Sequence, residues 1–199
     1  MSNTKMSRSA VVFIAILLAV FAFPCFGESE KAGDAIPQDG EVSRDAAEKL
    51  LRQGDAAMEA KDYKTALKCY VSVAEQGNAE AQFKLGDCYE RGAGVKQDSA
   101  EAVKWFRKAA EQNHLEAQFL LGDCFRRGDG VRQDWTMAAR YYRLAAKQGH
   151  AVAQYNLGCC YEKGNGVEKD LKEAEFWFRK AADQGLEQAE VALKRIGAE

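Results

Sequence analysis

Apolar residues follow a helical spacing along most of the chain, and glycines interrupt that spacing at regular intervals. One set at positions i, i+4, i+7 and i+8, which share a helix face, consists of Ala81, Leu85, Cys88 and Tyr89. After two glycines at 92 and 94, a second apolar stripe begins behind Asp98. Because the only two prolines are Pro24 and Pro37, nothing beyond them opposes helix formation. The pattern predicts an all-α protein made of helix pairs.

The helix-pair pattern recurs with a step of 36 residues. Gly86 recurs as Gly122 and Gly158. Other residues of the same unit have identical or similar residues 36 and 72 positions later: Ala81, Leu85, Cys88, Asp98, Ala102, Trp105 and Phe106. A unit of this size buries its apolar face only by stacking on its neighbours. The repeat therefore predicts an α-solenoid of antiparallel helix pairs.

Turn-forming residues mark the ends of the predicted helices. Asp98 and its equivalents 134 and 170 stand where an N-cap is needed, and Asp98 with Glu101 resembles a capping box, as does Asp170 with Glu173. Asn113 stands where the next two units have glycine, so we expect it to adopt the left-handed conformation.

The register divides the chain into seven segments. The first unit keeps the period in its second helix but lacks the glycine loop, and the last segment repeats only a first helix, as expected of a C-terminal cap. The segments are a signal peptide (1–27), a flexible leader (28–42), a short first unit (43–78), three full units (79–114, 115–150 and 151–186) and a capping helix (187–199).

The N-terminal segment has the layout of a secretory signal peptide. Lys5 and Arg8 precede an uncharged apolar run over 10–23, and cleavage is expected near Gly27. Two alternatives remain, an uncleaved membrane anchor and lipidation at Cys25. The apolar run has 14 residues, fewer than the roughly 20 that span a bilayer. We expect a secreted or periplasmic protein with no stable membrane span after cleavage.

Charge narrows the classes of partner. The chain has 28 basic and 30 acidic side chains, and loss of 1–27 would leave 26 against 30, a net charge of −4. Binding to nucleic-acid phosphates requires a basic surface, so nucleic acid is excluded as a partner.

The repeated string A-x-x-x-L-G-x-x-Y/F-x-x-G-x-G-V-x-x-D, found within 81–113, 117–149 and 153–185, resembles the Sel1-like repeat. The first unit resembles a tetratricopeptide repeat through Gly54, Ala66 and Tyr70. The resemblance implies a right-handed solenoid with one tetratricopeptide-like and three Sel1-like units. It also implies an adaptor that binds proteins, since such arrays serve mainly as scaffolds.

Residues with catalytic or metal-binding chemistry do not stand out from the repeat. No hydrolase, nucleotide-binding or CxxC motif occurs, so we predict no catalytic residue, no metal and no cofactor. A zinc site at His114 and His150 is a minor alternative. Of the five cysteines left after cleavage, three are expected to be core thiols, whereas Cys159 could serve redox chemistry or pair between molecules.

The leading enzymatic alternative is an envelope hydrolase. Some secreted, cysteine-rich Sel1-like proteins are described as penicillin-binding or β-lactamase-like, and they carry a cysteine pair eight residues apart across the junction between units. Here those positions hold Ala110 and Gln118, then Ala146 and Gln154. The resemblance therefore does not imply β-lactamase-like activity for this chain.

A protein or peptide partner is expected on the concave face that the first helices of the units form. The candidate residues are Glu80, Phe83, Lys84, Asp87, Glu116, Phe119, Asp123, Arg126, Tyr155, Asn156 and Cys159. An aromatic row bordered by carboxylates would suit basic and apolar side chains. The alternative is that the three aromatic residues only complete the core. Self-association through the open end or Cys159 is a further hypothesis.

Overall fold

A computed structural model describes residues 43–197, so the predicted signal peptide and the predicted leader lie outside the described residues. This part of the chain contains nine helices and no strand. They are α1 (Arg44–Glu59), α2 (Tyr63–Ala74), α3 (Ala79–Arg91), α4 (Ser99–Glu111), α5 (Leu115–Arg127), α6 (Trp135–Lys147), α7 (Ala151–Lys163), α8 (Leu171–Ala182) and α9 (Glu187–Ile196).

Each helix packs mainly against the helices that precede and follow it in sequence. The odd-numbered helices α1 to α9 are the first helices of successive units, and the even-numbered ones are the second. This arrangement confirms the predicted all-α solenoid. None of the helices in 43–197 is long and apolar enough to cross a membrane.

A glycine in the first helix of each of the four helix pairs receives an aromatic ring from the second helix of the same pair. A Cβ added to Gly86 would lie 2.7 Å from the ring of Phe106, and one added to Gly158 would lie 2.6 Å from the ring of Phe178. The rings themselves are fully buried. The same contact joins Gly54 to Tyr70 and Gly122 to Tyr142. Close packing of the pair therefore requires glycine at this position.

The glycine loops join the two helices of one unit and pack against the preceding unit. Gly130 and Gly166 have φ angles of +67° and +70°, which favour glycine. Each lies against the backbone of the first residue of the preceding unit's second helix, Ser99 or Trp135, where a side chain would collide. The loop of one unit is thereby seated on the unit before it.

Buried glutamines form a second connection between units. Gln118, only 1% exposed, donates through Nε2 to the carbonyl oxygen of Ala110 at 3.2 Å, and its Oε1 accepts from Gln148 Nε2 at 2.7 Å. Gln82 and Gln154 make the same two bonds in their units. Residues 110 and 118 occupy the positions of the cysteine pair in the cysteine-rich proteins. A hydrogen bond joins them here.

The helix caps agree with the predicted turn chemistry, with one correction. Asp98 Oδ1 accepts the backbone N–H of Glu101 at 3.0 Å, and Asn113 has a φ of +63° as expected. The reciprocal half of the capping box does not form, because the N–H of Asp98 donates to the carbonyl of Tyr89. The Glu101 carboxylate binds Lys104 instead. Glu173 likewise accepts from Trp177, while the Asp170 N–H donates to Tyr161.

Helix α9 lacks the features that would receive another second helix. Lys194 stands 36 residues after Gly158, where earlier units have the ring-accepting glycine, and Glu190 stands 36 residues after the buried Gln154. Both side chains are exposed. These charged side chains give α9 a polar outer face, the feature expected of a capping helix.

We expect Gly158→Ala to destabilise the protein by about 1–3 kcal/mol, since the new methyl group would overlap the Phe178 ring. The matched control is Lys194→Ala at the same register of α9, which should change stability by less than about 0.5 kcal/mol. Urea unfolding followed by circular dichroism measures both. Equal effects of the two substitutions would contradict the steric account.

Candidate protein-binding face

We call the solvent-facing side chains of α1, α3, α5 and α7 the A face. All eleven predicted site residues lie on the last three of these helices. The structure brings them together in local groups rather than in one pocket. Three of them, Phe83, Lys84 and Asp87, line one open depression, and three others, Arg126, Asn156 and Cys159, line a smaller cavity.

Lys84 joins α3 to α1, the first helix of the preceding unit. Its Nζ lies 3.0 Å from Asp55 Oδ1 and 3.2 Å from Glu80 Oε1. Burial disfavours the charged ammonium group, but these two contacts outweigh it and raise the pKa of Lys84. Its charge is therefore neutralised within the A face.

Each of the two histidines makes three contacts at a junction between units. His114 Nδ1 accepts the N–H of Ala117 and so caps α5, while Nε2 lies 3.0 Å from Glu80 Oε2 of the preceding unit. The ring also stacks on Phe83 with 4.6 Å between centroids. An acceptor at Nδ1 and a carboxylate at Nε2 together specify the tautomer with its proton on Nε2.

His150 repeats this arrangement one unit later. It caps α7 through Ala153, stacks on Phe119 at 4.4 Å, and its Nε2 lies 3.4 Å from Glu116 Oε2. Among residues 43–197 no group of three or more histidine, cysteine or carboxylate side chains is placed to hold a metal ion. The two histidines thus serve the junctions between units.

The aromatic row is partly in the core and partly on the surface. Phe83, Phe119 and Tyr155 are half-buried, and each packs against the core aromatic ring of its own unit at 5.6–6.3 Å. The core interpretation therefore describes one side of these rings. Histidine rings stack on Phe83 and Phe119, so only part of each ring contributes to the A face, and Phe83 also lines the open depression.

The three aspartates of the A face have different partners. Asp55 accepts the Tyr70 hydroxyl at 2.8 Å. Asp123 accepts the Tyr142 hydroxyl at 2.6 Å and Arg126 Nε at 3.1 Å, and its side chain is only 17% exposed. Asp87 has no such hydroxyl partner, because Phe106 stands where α6 has Tyr142, and it pairs with Arg91 at 2.7 Å. Burial raises the pKa of Tyr142 well above its ordinary value, with Asp123 adding to the shift. Asp123 is thus committed to the contact between α5 and α6.

The depression between α1 and α3 has a volume of about 370 Å³ and contains two apolar side chains among charged ones. Met58 and Phe83 supply the apolar surface, while Asp55, Glu59 and Asp87 supply carboxylates. Met58 and Glu59 were missed in the sequence. They belong to the shortened first unit, whose first helix lies outside the 36-residue register.

All five described cysteines are free thiols, and four of them are buried. Burial raises the pKa of Cys88 to about 11 and that of Cys124 to about 12. Burial also raises the pKa of the half-exposed Cys159. These thiols therefore remain protonated at neutral pH, which lowers their reactivity as nucleophiles.

The sequence matches the Sel1 repeat family in four consecutive segments, 46–78, 79–114, 115–150 and 151–186. The chain belongs to the Sel1 repeat family. Proteins of this family are generally scaffolds for protein interactions and not enzymes. The first of the four segments is the short unit that resembles a tetratricopeptide repeat. None of the curated proteins compared with this Sel1 repeat chain matches it.

Two solved structures resemble the chain at 36% sequence identity. One is a protective antigen of uropathogenic Escherichia coli, with a TM-score of 0.72 over 76% of this chain and 33% of the antigen. The other is a Sel1 repeat protein from Oxalobacter formigenes, with a TM-score of 0.70 over 77% of this chain and 66% of that protein. The chain thus spans a third of the first protein and just under two thirds of the second.

A third similar structure is the cysteine-rich protein B of Helicobacter pylori. It is 28% identical, with a TM-score of 0.52 over 66% of this chain and 95% of that protein. The likeness supports the Sel1 repeat fold for the described helices.

The Glu80 contacts predict a pH dependence of stability. The bond from His114, with Lys84 adding to it, lowers the pKa of Glu80 from 4.5 to about 2. The carboxylate therefore stabilises the fold fully above pH 4.5, and this contribution is lost as the pH falls toward 2. We expect Glu80→Gln to cost up to about 1 kcal/mol at pH 7, because the side chain is half exposed.

The cost of Glu80→Gln should shrink between pH 4.5 and pH 3, as measured by urea unfolding at each pH. Glu111→Gln, an exposed substitution at the end of α4, is the control and should have no such dependence. A cost that stays constant down to pH 3 would show that the charge of Glu80 does not contribute.

Proposed function

We propose that this Sel1 repeat protein is a secreted or periplasmic scaffold that binds a protein or peptide segment on its A face. The depression between α1 and α3 is the observation that carries this proposal. It places Met58 and Phe83 beside carboxylates from two helices, and Glu59 among them is exposed with no bonded partner in the described part of the chain. Localisation rests on the signal-peptide pattern of 1–27.

The depression favours a ligand side chain that is basic at its tip and apolar along its stem. Lysine and arginine combine these properties, because their methylene groups pack on apolar surface while the charged end stays polar. Lys84 does not oppose such a ligand strongly, since Asp55 and Glu80 already neutralise it. Phe119 and Tyr155 continue the apolar surface along the array for neighbouring side chains of the same segment.

We expect the double variant Glu59→Lys, Asp87→Lys to bind its partner with an affinity at least about tenfold lower, since it reverses two charges at the depression. The measurement is affinity capture from the native envelope fraction with the chain from residue 28 onward, followed by mass spectrometry. Asp123 is unsuitable for this test, because its replacement would leave Tyr142 and Arg126 unpaired.

The matched control is Glu75→Lys, Glu111→Lys, which makes the same change in charge at two equivalent exposed positions on second helices. A protein retained by the native chain and the control but lost by the A-face variant would support the proposal. Equal retention by all three chains would contradict it. Circular dichroism verifies that each variant keeps its helices.

A further inference from the structure

A cavity of about 180 Å³ lies where α5, α6 and α7 meet. Its lining includes two cations, Arg126 and Lys163, two amides, Asn156 and Asn165, and the thiol of Cys159. No carboxylate lines it. This composition is the reverse of that in the depression between α1 and α3.

The polar lining retains hydrogen-bond donors that no described residue accepts. Arg126 uses only Nε, toward Asp123 and the Tyr142 hydroxyl at 3.1 Å each, so its two terminal amino groups are unbonded within 43–197. The side chains of Lys163, Asn156 and Asn165 have no hydrogen bond or ion pair to the rest of the described chain. Asp123 and Tyr142 therefore hold the guanidinium in place and leave its outer edge available.

The corresponding region one unit earlier is acidic, and its charged side chains pair with one another. The residues 36 positions before Arg126, Cys159 and Asn165 are Glu90, Asp123 and Asp129, so three carboxylates have been replaced around one cavity. The residue 36 positions before Lys163 is Arg127, which is bonded to Asp129 at 2.9 Å and lies 3.8 Å from Asp123. Glu90 lies among these charges, and burial, with Asp87 adding to it, raises its pKa.

All three replacements make the later junction more positive than the earlier one. At the earlier junction the four positions carry three negative charges and one positive, whereas at the later junction they carry two positive charges and none negative. Burial raises the pKa of Cys159, so the thiol does not restore a negative charge at neutral pH. The cation that Asp129 neutralises in the earlier unit is left without a counter-charge in the later one.

We propose that this cavity is a carboxylate-binding subsite formed by Arg126, Lys163, Asn156 and Asn165. This proposal rests on the proposed function, because the carboxylate would come from the segment bound on the A face. An acidic side chain or the C-terminus of that segment would fill the cavity, while a basic residue would occupy the depression between α1 and α3. Guanidinium and amide N–H groups are suited to bind carboxylate oxygens.

Titration of the chain from residue 28 onward with small carboxylates tests the cavity without the unknown partner. One probe, N-acetyl-glutamic acid α-amide, has only a side-chain carboxylate, and another, N-acetylglycine, has only a terminal one. Their neutral controls are N-acetylglutaminamide and N-acetylglycinamide. Nuclear magnetic resonance at constant ionic strength follows the side-chain amide signals of Asn156 and Asn165.

We expect saturable shifts with at least one carboxylate probe and none with either neutral control. A response to the first probe alone identifies an acidic side chain as the ligand, and a response to the second alone identifies a chain terminus. Equal responses to carboxylates and neutral controls, or no response to any probe, would overturn the proposal. These outcomes are independent of the capture experiment, so failure of the subsite and failure of the scaffold function remain distinguishable.

The variant Cys159→Asp, Asn165→Asp restores the residues of the preceding unit and should weaken the response at least about tenfold. An aspartate at 159 would follow Gly158 in a unit whose core ring is Phe178, just as Asp87 follows Gly86 in the unit whose core ring is Phe106, so the fold already accommodates this combination. Lys163→Gln changes an exposed side chain and should weaken binding without affecting folding. Asp129→Asn, at the earlier junction, is the matched control and should leave the response unchanged; persistence of full binding in the first two variants would refute the assignment.

Discussion

Contact between a helix glycine and a buried aromatic ring determines how each unit of this protein folds. Four units place a ring against a glycine of the partner helix, and any larger residue there would overlap the ring. The first helix is thereby held close to the second, with its opposite side free for other residues. In α9, Lys194 stands in place of this glycine. The residues of the A face are displayed because this contact fixes which side of the first helix is buried.

Polar side chains then set the junctions between units. Gln82, Gln118 and Gln154 satisfy backbone and side-chain groups of adjoining helices inside the core, where an unpaired polar group would be costly. His114 and His150 link consecutive first helices at the edge of the A face. Asp87 and Asp123 occupy equivalent positions but differ in their partners, because only α6 supplies a tyrosine hydroxyl, that of Tyr142, where α4 has Phe106.

The helices and the N-cap aspartates were predictable because they depend on local spacing and repeat at 36 residues. The contacts of the A face were less so. The stacking of His114 on Phe83 and the bond from Tyr142 to Asp123 join different helices, and spacing within one helix does not report them. The contribution of Met58 was missed because the first unit is shorter. The replacement of three carboxylates is visible in the aligned repeats, but only the fold shows that positions 126, 159 and 165 surround one cavity.

The proposed function requires that a partner covers the A face and leaves the second helices free. Hydroxyl-radical footprinting of the captured complex tests it directly, because half-exposed aromatic rings occur on the A face and exposed ones occur elsewhere. We expect reduced oxidation of Phe83, Phe119 and Tyr155 on binding, with Tyr63 of α2 and Phe176 of α8 unchanged. Protection of Tyr63 and Phe176, with the three A-face rings still fully reactive, would contradict it.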